Sequence, residues 1–287
     1  MIPSAFEYYA ANSVDEALKL LAEHGDEAKI LAGGHSLLPA MKLRLAAPTV
    51  LIDINPIAEL RSINVGDKVT IGAMTTYASL LNSAELKAAL PVIAEAVDQI
   101  GDPQVRNRGT IGGALAHADP AADLPAVILA LGGTLTAQGP EGTREISIDD
   151  FFVDMLTTSL EPNELLTTIT LPKMGAGEGA SYVKMVQPAS GYAIVGAAAW
   201  VKLNGDGTVA AARVAITGAG PKPTRLEEVE NALVGGASSE EAVTAASEAV
   251  SDELELLGDI HASEDYRRAM VKVYTRRAIL KAIKAAS

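Results

Sequence analysis

Apolar residues change period several times along the chain, and each change marks an element. Val14, Ala17, Leu18 and Leu21 recur at helical spacing behind an S-x-x-E capping box, Ser13 to Glu16, and Gly25 follows the last turn. The short apolar runs AKILA (28–32) and TVLIDI (49–54) read as buried strands, so the first sixty residues form a small β-α-β-type unit. A strand is expected at KVTIGA (68–73), then helical stretches over SLLNSAELKAAL (79–90) and PVIAEAVDQI (91–100), broken at Pro91. Residues 101–133 begin as irregular chain and end in a helix, with Pro125 in its first turn and Gly132 just past its end. GTLTAQG (133–139) and ELLTTITLP (164–172) read as further strands.

Composition shifts at KMGAGEGA (173–180), the best linker candidate. Beyond it SYVKMV, YAIVGAAAWVKL and VAAARVAITG read as three antiparallel strands, the last two joined by the turn NGDG at 204–207. Three helices are expected to start near Thr224, Ser238 and Ser263. The last carries seven Lys or Arg between 267 and 284, which reads as a solvated face that also suits the helix C-terminal dipole.

Charge and composition narrow the chemistry. The net charge of -13 argues against nucleic acid, whose phosphates would repel the chain. No apolar run approaches the roughly 18 residues of a bilayer span, and MIPSAFEYYA lacks the basic start of a signal peptide, so a cytoplasmic location is expected. Cysteine is absent, which removes disulfides, thiol nucleophiles and Cys-ligated iron–sulfur clusters from this chain. The four histidines, at 24, 35, 117 and 261, show no metal-ligand spacing. Redox chemistry would need a non-covalently held organic cofactor.

Two glycine pairs stand out. Gly33-Gly34 follows the AKILA strand and precedes His35-Ser36, and Gly112-Gly113 follows Thr110 in RGTIGG. A glycine pair at a strand end either permits positive φ in a tight turn or bares consecutive N–H groups to an anion. The pairs lie far enough apart to face one another from two subdomains and clamp a diphosphate without a helix dipole. Arg106 and Arg108 beside the second pair are either anion partners or surface charge. No G-x-x-x-x-G-K-[ST] is present, and no G-x-G-x-x-G opens a helix after the first strand. A dinucleotide would have to be bound in another way.

LAGGHSLLPAMKLRLAAP and GDPQVRNRGTIGGALAHADPAADLPA resemble the FAD-binding subunits of the molybdenum hydroxylases, the group of xanthine dehydrogenase and aerobic carbon monoxide dehydrogenase, the latter type most nearly. MIPSAFEYYAANSVDEAL and IGAMTTYASL extend the resemblance over essentially the whole chain. It implies an α+β protein: two small α/β FAD-binding subdomains of the vanillyl-alcohol-oxidase (PCMH) type, 1–60 and 61–176, and a C-terminal domain, 177–287, with a three-stranded antiparallel sheet and three helices. It further implies that Ala32, Gly33, Gly34, His35 and Ser36, with Lys29 and Leu31 before them and Leu37 after, hold the FAD diphosphate through backbone N–H groups. Thr110, Ile111, Gly112 and Gly113 would hold its other side. Asp123 would meet the ribityl hydroxyls; the alternative is an N-cap for a helix starting at Leu124. Tyr192 would lie against the isoalloxazine; the alternative is a core aromatic in a strand. Lys184 would stand in the flavin neighbourhood. Ala114 occupies a place where the family often has asparagine, so His117 would supply any missing donor.

The resemblance implies no catalytic acid–base pair and no metal ligand here. FAD would be non-covalent, with molybdopterin and 2Fe–2S clusters on large and small partner subunits in a dimer of heterotrimers. Electrons would pass from the clusters to FAD and on to an external acceptor such as a quinone, at the inner face of the membrane if the complex reaches it. Carbon monoxide with water giving carbon dioxide would be the reaction of the complex. The alternatives are the FAD subunit of an aldehyde, xanthine or N-heterocycle hydroxylase, and a flavin-free scaffold of the same fold.

Overall fold

A computed structural model describes residues 2–287. The N-terminal part is a three-stranded parallel sheet of Glu7–Ala10, Ala28–Leu31 and Val50–Asp53, with Val50–Asp53 in the middle. The first strand, FEYYA, went unread in the sequence because its side chains are largely exposed and show no buried alternation. Helix Val14–His24 packs Val14, Ala17 and Leu21 against Ile52 and Ile54. Its Ser13 hydroxyl accepts from the Glu16 N–H at 3.1 Å, and the Glu16 carboxylate reaches back to the Asn12 N–H at 2.7 Å.

The next layer is a five-stranded antiparallel sheet in the order Ile63–Val65, Lys68–Gly72, Leu165–Pro172, Thr134–Gly139, Gly142–Ser147. Its central strand arrives late in the chain, pairing Ile169 with Ile71 on one side and Leu135 on the other. Pro91 separates two helices and sits in the first turn of the second, Pro91–Asp98. All nine residues of helix Asp123–Leu131 are buried. DLPAVILAL offers no polar face after its first residue, so this helix must be covered on every side. The middle sheet lies against it on one side and the C-terminal sheet on the other.

That last sheet has four strands, Glu178–Val186, Ala193–Leu203, Val209–Thr217 and Thr224–Arg225. The three expected strands are joined by a short fourth, so Thr224 does not open a helix: it pairs with Ile216, and the helix runs Glu227–Leu233. Arg225 turns back to Glu230, whose Oε1 also accepts from the Val214 N–H at 2.8 Å. The linker is shorter than KMGAGEGA, because the strand begins at Glu178. The second helix, Glu240–Ser247, is capped by Ser239 rather than Ser238. In the strand AIVGAAAWVKL the small residues serve both faces. Ala198 packs toward the middle core, and Ala197 and Ala199 pack toward the core beneath the C-terminal helices. Helix Glu264–Ala286, capped by Ser263, crosses that sheet. Its basic residues are not uniformly solvated: Arg267 is 3% exposed and donates to the Ile194 and Gly218 carbonyls. Among the described residues no helix is long and apolar enough to cross a membrane.

Candidate functional site

A cleft of about 650 Å³ opens where the two glycine segments meet the turn before strand Ala193–Leu203. That is ample for a cofactor-sized ligand, for which roughly 300–1,000 Å³ is usual. Ala28–Leu31 ends at its edge, and the chain turns through Ala32, Gly33 and Gly34 into helix Leu37–Leu43. Gly34 takes φ +76, a left-handed conformation that favours glycine. Gly33 serves a different purpose. A Cβ there would overlap the Arg108 carbonyl oxygen and lie 2.9 Å from its carbon, so this is where the two segments touch backbone to backbone.

The N–H groups of Gly33, Gly34, His35, Ser36 and Leu37 have no hydrogen-bond acceptor among the described residues. These residues line the cleft, and the Ser36 hydroxyl does not cap the helix that follows. His35 Nδ1 lies 3.3 Å from the Gly33 carbonyl oxygen. Five consecutive donors without partners are what an anion needs and what a folded chain avoids unless a ligand or water meets them.

The second segment is built differently from the expected twin clamp. It is the start of helix Ile111–His117, capped by the Thr110 hydroxyl, which accepts from the Gly113 N–H at 3.1 Å. The Ile111 N–H goes to Thr75 O at 3.1 Å, Gly112 to Ala73 O at 2.9 Å, and Ala114 to Thr110 O at 3.0 Å. The backbone donors of 111–114 are therefore spent inside the protein, and the expectation of a clamp without a helix dipole is corrected. Gly112 is required by packing, since a Cβ would stand 2.8 Å from the Ala73 Cα. At Gly113 an added methyl would meet the capping Thr110 hydroxyl at 2.7 Å, with the Ala32 Cβ further off at 3.8 Å.

Among the other expected residues, Lys29, Ala32, His117 and Asp123 line the cleft, and Ala114 lines it where an asparagine was noted as missing. Leu31 and Ile111 are buried behind the wall, Leu31 with its carbonyl accepting from the Ile54 N–H. Asp123 is the first helical residue and makes no cap. Its carboxylate instead accepts from the Tyr182 hydroxyl at 2.5 Å and pairs with the Lys184 ammonium at 3.0 Å. Lys184 thus stands behind the wall. Burial pushes the Asp123 carboxyl above its ordinary value, while the Lys184 charge and then the Tyr182 hydroxyl pull it back. Tyr192 is not a core aromatic: it stands at the mouth, 48% exposed, just ahead of the strand. Burial, and then the charges of Asp119 and Asp123, raise its phenol, which stays neutral at physiological pH. Arg106 is turned away, donating to the Ile100 carbonyl at 2.9 Å.

Two wall segments were not singled out from the sequence. One is the strand-to-helix turn carrying Met74 and Tyr77; IGAMTTYASL offered only a resemblance there. The other is the hairpin of Phe152–Asp154 and Thr157–Thr158, which brings Leu156, Thr158 and Leu160 to the cleft. Leu156 has φ +53 and donates its N–H to Ala118 O at 3.3 Å, and Ala118 itself has φ +50. Unlike glycine or asparagine, a leucine or an alanine in the left-handed region leaves no mark in a sequence.

Residues 4–174 match the family described as the FAD binding domain in molybdopterin dehydrogenase. The chain belongs to this family. Residues 180–282 match the CO dehydrogenase flavoprotein C-terminal domain. Over 280 residues, 97% of each chain, the sequence is 44% identical to the carbon monoxide dehydrogenase medium chain of Hydrogenophaga pseudoflava. It is 39% identical over 284 residues to the 6-hydroxypseudooxynicotine dehydrogenase complex subunit alpha of Paenarthrobacter nicotinovorans, covering 99% of this chain and 96% of that one. A solved structure of carbon monoxide dehydrogenase from Hydrogenophaga pseudoflava matches with TM-score 0.97 and 45% identity over the full length of both chains. The protein is an FAD-binding subunit of a carbon-monoxide-dehydrogenase-like molybdenum hydroxylase, one chain of a multi-subunit oxidoreductase. The cleft fits that cofactor, with unpartnered N–H groups for a diphosphate and a carboxylate acceptor deeper in the wall.

Proposed function

We propose that the chain holds FAD non-covalently in this cleft and passes electrons between partner subunits and an external acceptor. The observation that carries the reading is the run of five unpartnered N–H groups, Gly33 to Leu37, along the cleft. In this reading the Gly33–Leu37 donors hold the diphosphate, with Lys29, Leu31, Ala32 and the His35 and Ser36 side chains shaping its seat. Thr110, Gly112 and Gly113, backed by the buried Ile111, form the opposing wall, which contributes room and rigidity rather than donors. Asp123 accepts from the ribityl hydroxyls, His117 stands beside Ala114, and Tyr192 covers the isoalloxazine. Residues 1–60 and 61–176 act as two FAD-binding subdomains, with 177–287 as the C-terminal domain.

The bound flavin supplies the electron-carrying chemistry, and the chain sets its access and surroundings. With no cysteine, this chain offers no thiolate for an iron–sulfur cluster, so the 2Fe–2S clusters belong to a small partner and the molybdopterin to a large one. We place the complex in the cytoplasm, as a dimer of heterotrimers delivering to an acceptor such as a quinone. Carbon monoxide is the preferred substrate of the complex, following the 44% identical relative. The 39% identical relative supports a second reading, a hydroxylase of N-heterocyclic compounds. The two differ in the large partner, and its substrate separates them.

Tyr192 tests the relay. A ring that covers flavin controls access there, and losing an aromatic stack costs about 0.5–1.5 kcal/mol beyond area. Tyr192→Ala in the assembled complex is expected to weaken flavin retention modestly and to change flavin reoxidation strongly. The rate at which substrate reduces the clusters stays as in wild type, because they lie upstream. Stopped-flow recording of cluster and flavin absorbance checks both. Slowed cluster reduction with unchanged reoxidation would contradict this placement.

A further inference from the structure

Three cleft-lining segments converge on one buried ammonium. Lys184, on strand Glu178–Val186, has a side chain 1% exposed. Its Nζ donates to the Gln99 carbonyl at 2.8 Å, to the Gly191 carbonyl at 2.8 Å and to Asp123 at 3.0–3.2 Å. An ammonium has three hydrogens, and these three partners use all of them. Gln99 directly precedes Ile100 and Gly101 on the cleft wall, and Asp123 lines the cleft itself. Gly191 belongs to the turn that presents Tyr192, a turn closed by Gln187 N–H to Tyr192 O at 2.8 Å and Gly191 N–H to Gln187 O at 2.9 Å. Tyr182, two residues away on the same face of the strand, gives Asp123 its second donor.

We propose that Lys184 is a positioning residue of the flavin site: it keeps the Asp123 carboxylate charged and aimed into the cleft and fastens the turn that carries Tyr192. The inference rests on the reading of this cleft as the flavin site. The titratable groups around Asp123 are Lys184 and Tyr182 from the sheet, Tyr192 from the turn, Tyr77 from helix Tyr77–Asn82 and Asp119 from the preceding loop. Lys184 is the cation of that set. Its removal leaves a buried carboxylate with no counter-charge, which answers by taking a proton.

The experiment compares K184Q, D123N and the double variant in the assembled complex. Retained FAD is measured by the fluorescence of released flavin across the neutral pH range, and bound flavin by visible circular dichroism. Where Asp123 holds its proton at the working pH, each pH unit below its titration point removes about tenfold of the charged form. K184Q is expected to show such a loss, recovering as pH rises and Asp123 recharges, with an altered circular dichroism band from the loosened Tyr192 turn. Wild type stays flat over the same range. D123N is weak at every pH, and the double variant is no weaker than D123N. If D123N weakens retention and K184Q does not, Lys184 is not a positioning residue. If D123N itself retains flavin like wild type, the reading of Asp123 as a flavin contact fails and takes the inference with it. Should K184Q not assemble, K184M, which fills the same space without charge, is read in its place: a sloping profile supports the proposal and a flat one overturns it.

Discussion

Gly33→Val empties the flavin site in the assembled complex and lowers the thermal midpoint of the chain. The reason is contact, not backbone conformation. Of the four glycines in the two segments only Gly34 has positive φ. At Gly33 the added Cβ would overlap the Arg108 carbonyl oxygen, stand 2.9 Å from Arg108 C and 3.0 Å from Gly109 Cα. All three are backbone atoms, which cannot rotate aside. The end of strand Ala28–Leu31 must then part from the segment before Thr110, and the Gly33–Leu37 donors move with it. Overpacking of this kind costs on the order of 1–3 kcal/mol in a packed interior, or about 5- to 150-fold if carried wholly into binding, before misplaced donors are counted. Gly113→Ala is the milder comparison, because its methyl meets chiefly the Thr110 hydroxyl, at 2.7 Å. Flavin-to-protein absorbance and calorimetry on both variants check the order. Full flavin occupancy in Gly33→Val would contradict the close approach.

Arg267→Leu is expected to destabilise the C-terminal part by about 3 kcal/mol. The guanidinium donates to the Ile194 carbonyl at 2.5 Å, to the Gly218 carbonyl at 2.7 Å and to Asp259 at 2.6 Å. Leucine leaves the two buried carbonyls without a donor, and each such orphan costs about 1–3 kcal/mol. Asp259 is 44% exposed and regains water, so Asp259→Asn costs far less. Because Ile194 follows the Tyr192 turn by two residues, the loss also slackens the strand behind the cleft mouth. Urea unfolding of the complex, read at the C-terminal transition, gives the difference. A change within about 0.5 kcal/mol, the range of ordinary surface substitutions, would contradict the role assigned to Arg267.

The same two residues show what the sequence makes legible. A helix with a single buried face announced itself through period, as in Val14 to Leu21, and the AIVGAAAWVKL strand, buried on both faces, through its unbroken apolar run. The helix at 123–131 was legible from Pro125 in its first turn and Gly132 past its end, while its burial on every side emerged only from the fold. Arg267 was read as solvated because six other basic residues share its helix. Only the fold shows that it points at two carbonyls, one in strand Ala193–Leu203 and one just past strand Val209–Thr217. The glycine pairs were legible as a site, but not their division of labour. The donors of 33–37 are free and those of 111–114 are spent, and the difference is made by Thr75, Ala73 and the Thr110 hydroxyl. Asp123 was weighed as a helix cap from its place before LPAVILAL. Its partners, Tyr182 and Lys184, lie about sixty residues on and could not be paired with it from spacing alone.

An FAD held in this cleft by non-covalent contacts alone is freed when the protein is denatured by acid. Acid precipitation of the purified complex, followed by identification of the released flavin, tests it most directly. A yellow supernatant containing FAD, stoichiometric with this chain, is expected, as is loss of that flavin in Gly33→Val. Flavin that stays with the precipitated protein, or FMN in place of FAD, would contradict it.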